Sequence, residues 1–158
     1  MSGARPYKRP ESVLVLVCTR AGEVLLMERV RPRGFWQSVT GSLEWGEAPA
    51  AAARRELYEE TGLRSAGRFI DLGEGAVFPI KPPWRARYQA GVRLNRERWF
   101  VCELAGRRSI RLNRAEHRQF RWLPAALAAQ RATSWTNRAV IRRWLQTGSA
   151  SLADYPAA

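Results

Sequence analysis

Hydrophobic positions change period several times along this chain, and the changes mark its elements. Ser12 to Cys18 is an unbroken Val/Leu run, the pattern of a central strand buried on both faces. Ala21-Gly22 supplies a turn and Glu23 to Arg29 returns, so the two segments read as a hairpin. Val30 to Gly34, with Arg, Pro and Gly, is a loop, and Phe35 to Thr40 leads directly into Gly41. Further on, Arg68 to Leu72 and Gly75 to Ile80 are strand-like with the pair Gly73-Glu74 between them, and Lys81-Pro82-Pro83 stops any ladder. Arg85 to Leu94 is irregular and basic. Arg96 to Leu104 resumes a strand in which Trp99 and Val101 alternate with charged neighbours. Ala105 to Arg108 turns, Ser109 to Glu116 is a polar connection, Gln119 to Leu123 a short strand, and Pro124 to Gln130 a short helix opened by its proline. Ser134 to Thr147 is an amphipathic helix carrying Ala139, Val140, Trp144 and Leu145. Thr147-Gly148 ends it, which leaves a flexible tail over 149–158 and one domain over 1–148.

The middle of the chain reads as a helix from about Ala48 to Thr61. Pro49 suits a first turn, where a missing N–H costs nothing, and Gly62 suits the position just past the end. On a 3.6-residue period Glu56, Glu59 and Glu60 fall within a sector of about 100°. Ala50, Ala53 and Leu57 form a separate apolar stripe able to pack on a sheet. Like charges at i, i+4 repel by a few tenths of a kcal/mol on an exposed helix, and by more when partly desolvated. A solvated acidic face is the ordinary outcome of such a run. The alternative is a hard divalent ion such as Mg²⁺, which takes oxygen ligands and fills its other positions with water and phosphate.

Length and composition narrow the class. The 158 residues, 46% hydrophobic and 26% charged, suit one soluble domain with a sizeable core. The longest apolar run, Val13 to Cys18, is too short to span a bilayer, and the N-terminus lacks the layout of a secretory signal, so a cytoplasmic location is expected. Cys18 and Cys102 lie in strand-like apolar segments without metal-ligand spacing and read as buried free thiols. The net charge of +13 raises nucleic acid as a partner. Yet the only lysines are Lys8 and Lys81, and the arginines are scattered rather than run together. Steering of a polyanionic small molecule explains the sign at least as well. No membrane partner is expected, and the oligomeric state is not legible.

Gly41, five residues, Glu47, seven residues, then Arg55-Glu56-Leu57-x-Glu59-Glu60-x-Gly62-Leu63 resembles the signature box of the Nudix hydrolases at every fixed position. The resemblance implies an α/β/α sandwich with a mixed β-sheet and a catalytic loop–helix–loop. It also implies dependence on a divalent metal, Mg²⁺ or Mn²⁺, and hydrolysis of a phosphoanhydride bond. Within it Glu56 and Glu60 are the expected direct ligands, and Glu56 or Glu59 the general base. Gly41, Glu47, Arg55 and Gly62 are structural, with Arg55 tied back to Glu47. Glu44 falls outside the motif and reads as surface.

Segments outside the box resemble one branch of that family, the bacterial dihydroneopterin triphosphate diphosphatases of folate biosynthesis. They include Tyr7-Lys8-Arg9-Pro10-x-Ser12, Phe35 to Ser42, Arg87-Tyr88-x-x-Gly91-Val92, Glu97-x-Trp99-Phe100, Glu116-His117 and Ser134-Trp135-x-Asn137-Arg138. This resemblance implies Lys8, Arg29, Thr40 and Ser134 as substrate contacts, with Phe78, Ile80 and Lys81 at the pocket strand, and Glu116 as a metal ligand from outside the box. A compact ammonium suits a phosphate oxygen, and Arg29 can grip phosphate with two donors. His117, the only histidine, reads as structural or supporting rather than as a ligand, since Mg²⁺ prefers oxygen. Ser134 before Trp135 is by default a helix N-cap, and its hydroxyl cannot fully serve both roles. Trp36, Trp84 or Trp135 can stack on a flat ring. The proline-rich stretch from Phe78 to Trp84 and Thr136 depart from that branch, which bears on selectivity. Two other readings remain open: a Nudix hydrolase of ordinary or oxidised (deoxy)nucleoside triphosphates, and a basic RNA-binding module that keeps the box as a scaffold. The intact carboxylate set counts against the second.

Overall fold

The structure is a computed structural model that describes residues 7–64 and 67–151. Its elements run β1 (Glu11–Thr19), β2 (Glu23–Arg29), β3 (Trp36–Gln37), β4 (Val39–Ser42), α1 (Pro49–Thr61), β5 (Arg68–Pro79), α2 (Pro82–Arg85), β6 (Leu94–Leu104), β7 (His117–Pro124), α3 (Ala125–Arg131) and α4 (Trp135–Ser151). β1 is the centre. It runs parallel to β6 from Glu11↔Arg96 to Thr19↔Leu104, while every other pairing in the sheet is antiparallel. β5 flanks β6, and β7 covers the outer edge of β2.

Strict alternation along β1 divides the core in two. Val13, Val15 and Val17 pack with Ala52, Ala53 and Leu57 of α1, together with Met27, Phe69 and Phe100. Leu14, Leu16 and Cys18 pack on the other side with Ala128 of α3 and with Val140, Ile141 and Trp144 of α4. A sheet buried on both faces needs an apolar layer over each, and the result is the expected α/β/α sandwich. Cys18 and Cys102 are buried and free, as expected, and lie in opposite halves of the core. Burial raises the pKa of both thiols, to about 11 for Cys102.

α1 forms where the sequence places it. Pro49 takes the first turn, Ala48 is the extended N-cap, and Gly62 closes the helix at φ 76°, its N–H bonded to the Tyr58 carbonyl at 2.8 Å. Elsewhere local signals yield to pairing. Gly73-Glu74 does not divide β5: the strand bulges between Asp71 and Gly75 and then resumes its ladder on β6. β7 is longer than the expected segment because it pairs along the whole of β2. Pro124 ends β7 and is the N-cap of α3 rather than its first residue. α4 continues past Thr147-Gly148 to Ser151, three residues into the stretch expected to be a tail, and the rest of that stretch, 152–158, lies outside the described residues. No helix among the described residues is long and apolar enough to cross a membrane.

Candidate active site

β1 and β2 pair at Cys18↔Val24 and then diverge, β4 taking the partner positions of Ser12 to Val15 and β3 those of Met27 and Glu28. A cleft of about 1340 Å³ takes its lining from both sides of this divergence, including Ser12, Arg29, Gln37 and Thr40. On β4, Gly41 pairs with Val13 and so looks toward α1. A Cβ at Gly41 would lie 2.1 Å from Cδ of Glu56, so the carboxylate closes against the strand only because that position has no side chain.

Arg55 holds the loop between β4 and α1. Its Nε and Nη2 each donate to one oxygen of Glu47 at 2.8 Å, a two-point grip that pulls the Glu47 carboxyl below its ordinary pKa. The same guanidinium donates to Glu56 Oε1 at 2.9 Å, to Glu59 Oε2 at 3.2 Å and to the Ser42 carbonyl at 3.1 Å. Arg9 fastens the loop from outside, donating to the carbonyls of Glu44 and Glu47 at 3.0 and 2.9 Å. Glu44 is exposed, as expected.

The helix turns its carboxylates inward to different depths. Glu59 is half-exposed, and Glu56 is largely buried. Glu60 is only 1% exposed, and neither of its oxygens has a hydrogen-bond partner. The Glu56 carboxyl and the Thr40 backbone come near it without reaching bonding geometry. Burial first, then the charges of Glu56 and Glu116, push the Glu60 pKa well above the carboxylate range, and burial also raises that of Glu56. Oxygens of Glu60 and Glu116 and a ring nitrogen of His117 lie within 4.8 Å of one another. His117 Nδ1 is 3.9 Å from Glu60 Oε1, and Nε2 is 3.0 Å from the Gln37 amide nitrogen. With that amide donating, the ring hydrogen belongs on Nδ1, facing Glu60. Burial and Arg29 lower the His117 pKa to about 4, so the ring is neutral. A buried carboxylate with both oxygens open, beside two more carboxylates, is what a hard divalent cation fits.

Lys8, Arg29, Thr40, Phe78, Ile80, Lys81, Ser134, Glu56 and Glu116 all line the cleft, so one concavity gathers side chains scattered from residue 8 to residue 134. Burial and Arg87 lower the Lys8 pKa, against the pull of Glu56 and Glu116. Ser134 is the N-cap of α4, its Oγ accepting from Asn137 N at 3.2 Å and Asn137 Nδ2 at 2.5 Å, with the Thr136 hydroxyl at 3.3 Å as a further partner. Trp84 and Trp135 are exposed along the cleft. Trp36 is not available for stacking: it belongs to the core, with Arg121 and Arg131 over its ring. Neither Glu59 nor Glu60 is part of the lining: Glu59 is half-exposed beside Arg55, and Glu60 is sealed beneath the lining.

The NUDIX domain profile matches residues 8–145. This chain belongs to the Nudix family. The loop–helix–loop from Gly41 to Leu63 is its signature box, and Nudix hydrolases use divalent metals. This Nudix chain is 38% identical over 143 residues to the dihydroneopterin triphosphate diphosphatase of Escherichia coli, a match covering 88% of this chain and 94% of that protein. The protein of the same name from Haemophilus influenzae is 35% identical, with 88% and 89% covered. The solved structure of the E. coli dihydroneopterin triphosphate pyrophosphohydrolase is similar with a TM-score of 0.81 at 37% identity, covering 90% of this chain and 99% of that one. Among the residues that line the Nudix cleft or hold its loop, and to which the sequence assigned no role in the site, are Arg9, Tyr88, Asn95 and Glu97. For Glu97 a signal existed, because it shares the buried phase of its strand with Trp99 and Val101 while Arg96 and Arg98 take the other.

Proposed function

We propose that this chain hydrolyses 7,8-dihydroneopterin 3′-triphosphate to the monophosphate and pyrophosphate, with Mg²⁺ as the working ion. The observation that carries the hydrolytic reading is the sealed, unpartnered carboxylate of Glu60 beside Glu56 and Glu116, which line a cleft that also presents Lys8 and Arg29. The substrate follows from the likeness to the E. coli diphosphatase, which extends over 94% of that protein and so beyond the box.

Glu56, Glu60 and Glu116 would hold the ion, which when bound neutralises charge on the phosphate oxygens. Lys8 and Arg29 grip the polyphosphate, Lys8 as a point charge and Arg29 through its planar fork. Thr40 donates its hydroxyl hydrogen to a phosphate oxygen. Glu56 lines the cleft with a raised pKa and is oriented by Arg55, so it suits the work of taking a proton from the attacking water. Glu59 touches Arg55 rather than the cleft and acts by holding that guanidinium in place. The +13 charge draws the polyanion toward the site.

The test is product identification by ³¹P NMR in Mg²⁺ buffer. Pyrophosphate and dihydroneopterin monophosphate, appearing together in equal amounts, are expected. Stepwise release of inorganic phosphate, or no turnover of this substrate, would overturn the proposal.

A further inference from the structure

Asn95 and Glu97 stand two residues apart on β6, in the same alternation phase as Trp99 and Val101, and so face the α3/α4 side of the sheet. Both line the cleft beside Phe78, Trp135 and Thr136. Asn95 is 4% exposed; its Nδ2 donates to Ser12 Oγ at 2.8 Å, and its Oδ1 has no partner. Glu97 is 5% exposed, with Trp99 Nε1 donating to its Oε1 at 3.0 Å and the Thr136 hydroxyl bonded to the same carboxylate. Its neighbours are hydrogen-bond donors, not cations.

Burying a carboxylate without a cation costs free energy that an apolar side chain in its place would avoid, and an open acceptor beside it adds to the cost. The polyphosphate chemistry uses neither residue. The cost is recovered if a ligand carries N–H donors into the cleft. Burial puts the Glu97 pKa at about 6, so near neutral pH it is mostly ionised and purely an acceptor.

We propose that Glu97 and Asn95 read the 2-amino-4-oxopyrimidine edge of the substrate's ring. The Glu97 carboxylate accepts the ring N3–H and one hydrogen of the 2-amino group, and Asn95 Oδ1 accepts the other. Trp135, 53% exposed and edge-on to Phe78 with ring centroids 6.4 Å apart, offers a flat apolar surface for the ring itself. The pterin assignment rests on the function proposed above, but the same N–H and NH₂ pair beside a carbonyl occurs in guanine. Adenine lacks it, and hypoxanthine lacks the amino group.

Steady-state kinetics of the full chain in Mg²⁺, on dihydroneopterin triphosphate, GTP, ITP and ATP, test this with the wild type and Glu97→Gln. Where turnover is slow, the nucleotides are read as competitive inhibitors. The wild type is expected to favour GTP over ITP by about tenfold or more. Glu97→Gln places a donor where an acceptor was. It is expected to raise KM for dihydroneopterin triphosphate and GTP by about ten- to a hundredfold, with kcat little changed and the GTP-to-ITP ratio near one. Equal losses on all four substrates, or a loss in kcat alone, would show a structural role and overturn the inference. Equal handling of GTP and ITP by the wild type would overturn it even if the variant does not fold. A wild type that ignores the pterin triphosphate yet prefers GTP to ITP would support the ring-edge contact while removing the substrate proposed above.

Discussion

A carboxylate sealed beneath a sheet with no hydrogen bond raises the free energy of the fold, and Glu60 is in that position. Glu60→Gln removes the charge while keeping the shape. Without metal, the variant is expected to melt at or above the wild-type temperature, because it carries no group whose ionisation burial and the charges of Glu56 and Glu116 oppose. Its kcat is expected to fall by about a hundredfold or more. Added Mg²⁺ should raise the wild-type melting temperature and leave the variant's unchanged. Scanning calorimetry in EDTA and in Mg²⁺ reads both arms, and a variant that Mg²⁺ stabilises as much as wild type would refute Glu60 as a ligand. Glu97 allows a cleaner pH argument. Its folded pKa of about 6 stands above the ordinary 4.5, so the stability it contributes is full below the ordinary value and lost as pH rises through 6. That difference is worth about 2 kcal/mol. Glu97→Gln has no such proton to lose, so its stability relative to wild type should grow by up to about 2 kcal/mol between acid and neutral pH. A pH-independent difference in urea unfolding would contradict the burial argument.

The β4–α1 unit shows at the scale of elements what sequence can and cannot convey. Pro49, Gly62 and the Ala/Leu stripe are local signals, and α1 appears where they place it. The salt link from Arg55 to Glu47 was implied by the motif and is present as a two-point grip. The contact of Gly41 with Glu56 was not legible, since it depends on the register Val13↔Gly41, a long-range pairing. Gly41→Ala tests that contact. The atoms nearest the added methyl are the end of a flexible side chain, so folding should survive while the displaced carboxylate lowers kcat by about tenfold or more, checked by circular dichroism alongside turnover. Unchanged kcat would mean that Glu56 needs no such closeness. Gly73-Glu74 failed as a strand break for a related reason. Gly75 lies so close to the β6 backbone that a Cβ would sit 2.0 Å from the Glu97 carbonyl, and only pairing with that strand reveals why a glycine sits there. For Glu97 the strand phase shared with Trp99 and Val101 is the one local signal, and its burial at the cleft is a property of the sheet.

Across the whole molecule, β1 sorts its side chains between two helical layers, and the strands beside it part to leave the cleft. The sandwich was legible because motif and alternation agreed; the gathering of Lys8, Arg29, Glu116 and Ser134 was implied by resemblance alone and is produced by topology. The net charge acts at this scale too. A field summed over 27 basic and 14 acidic residues is screened by salt, so KM for a triphosphate should rise several-fold between about 0.05 and 0.5 M KCl while kcat holds. An insensitive KM would leave the charge without a part in substrate capture. Under the proposed function the box supplies the chemistry and residues outside it choose a pterin triphosphate. The most direct measurement is kcat/KM in Mg²⁺ for dihydroneopterin triphosphate against dATP, GTP and 8-oxo-dGTP. A preference for the pterin of about tenfold or more, some 1.4 kcal/mol of transition-state discrimination, is predicted, and a tenfold preference for any of the nucleotides would contradict it.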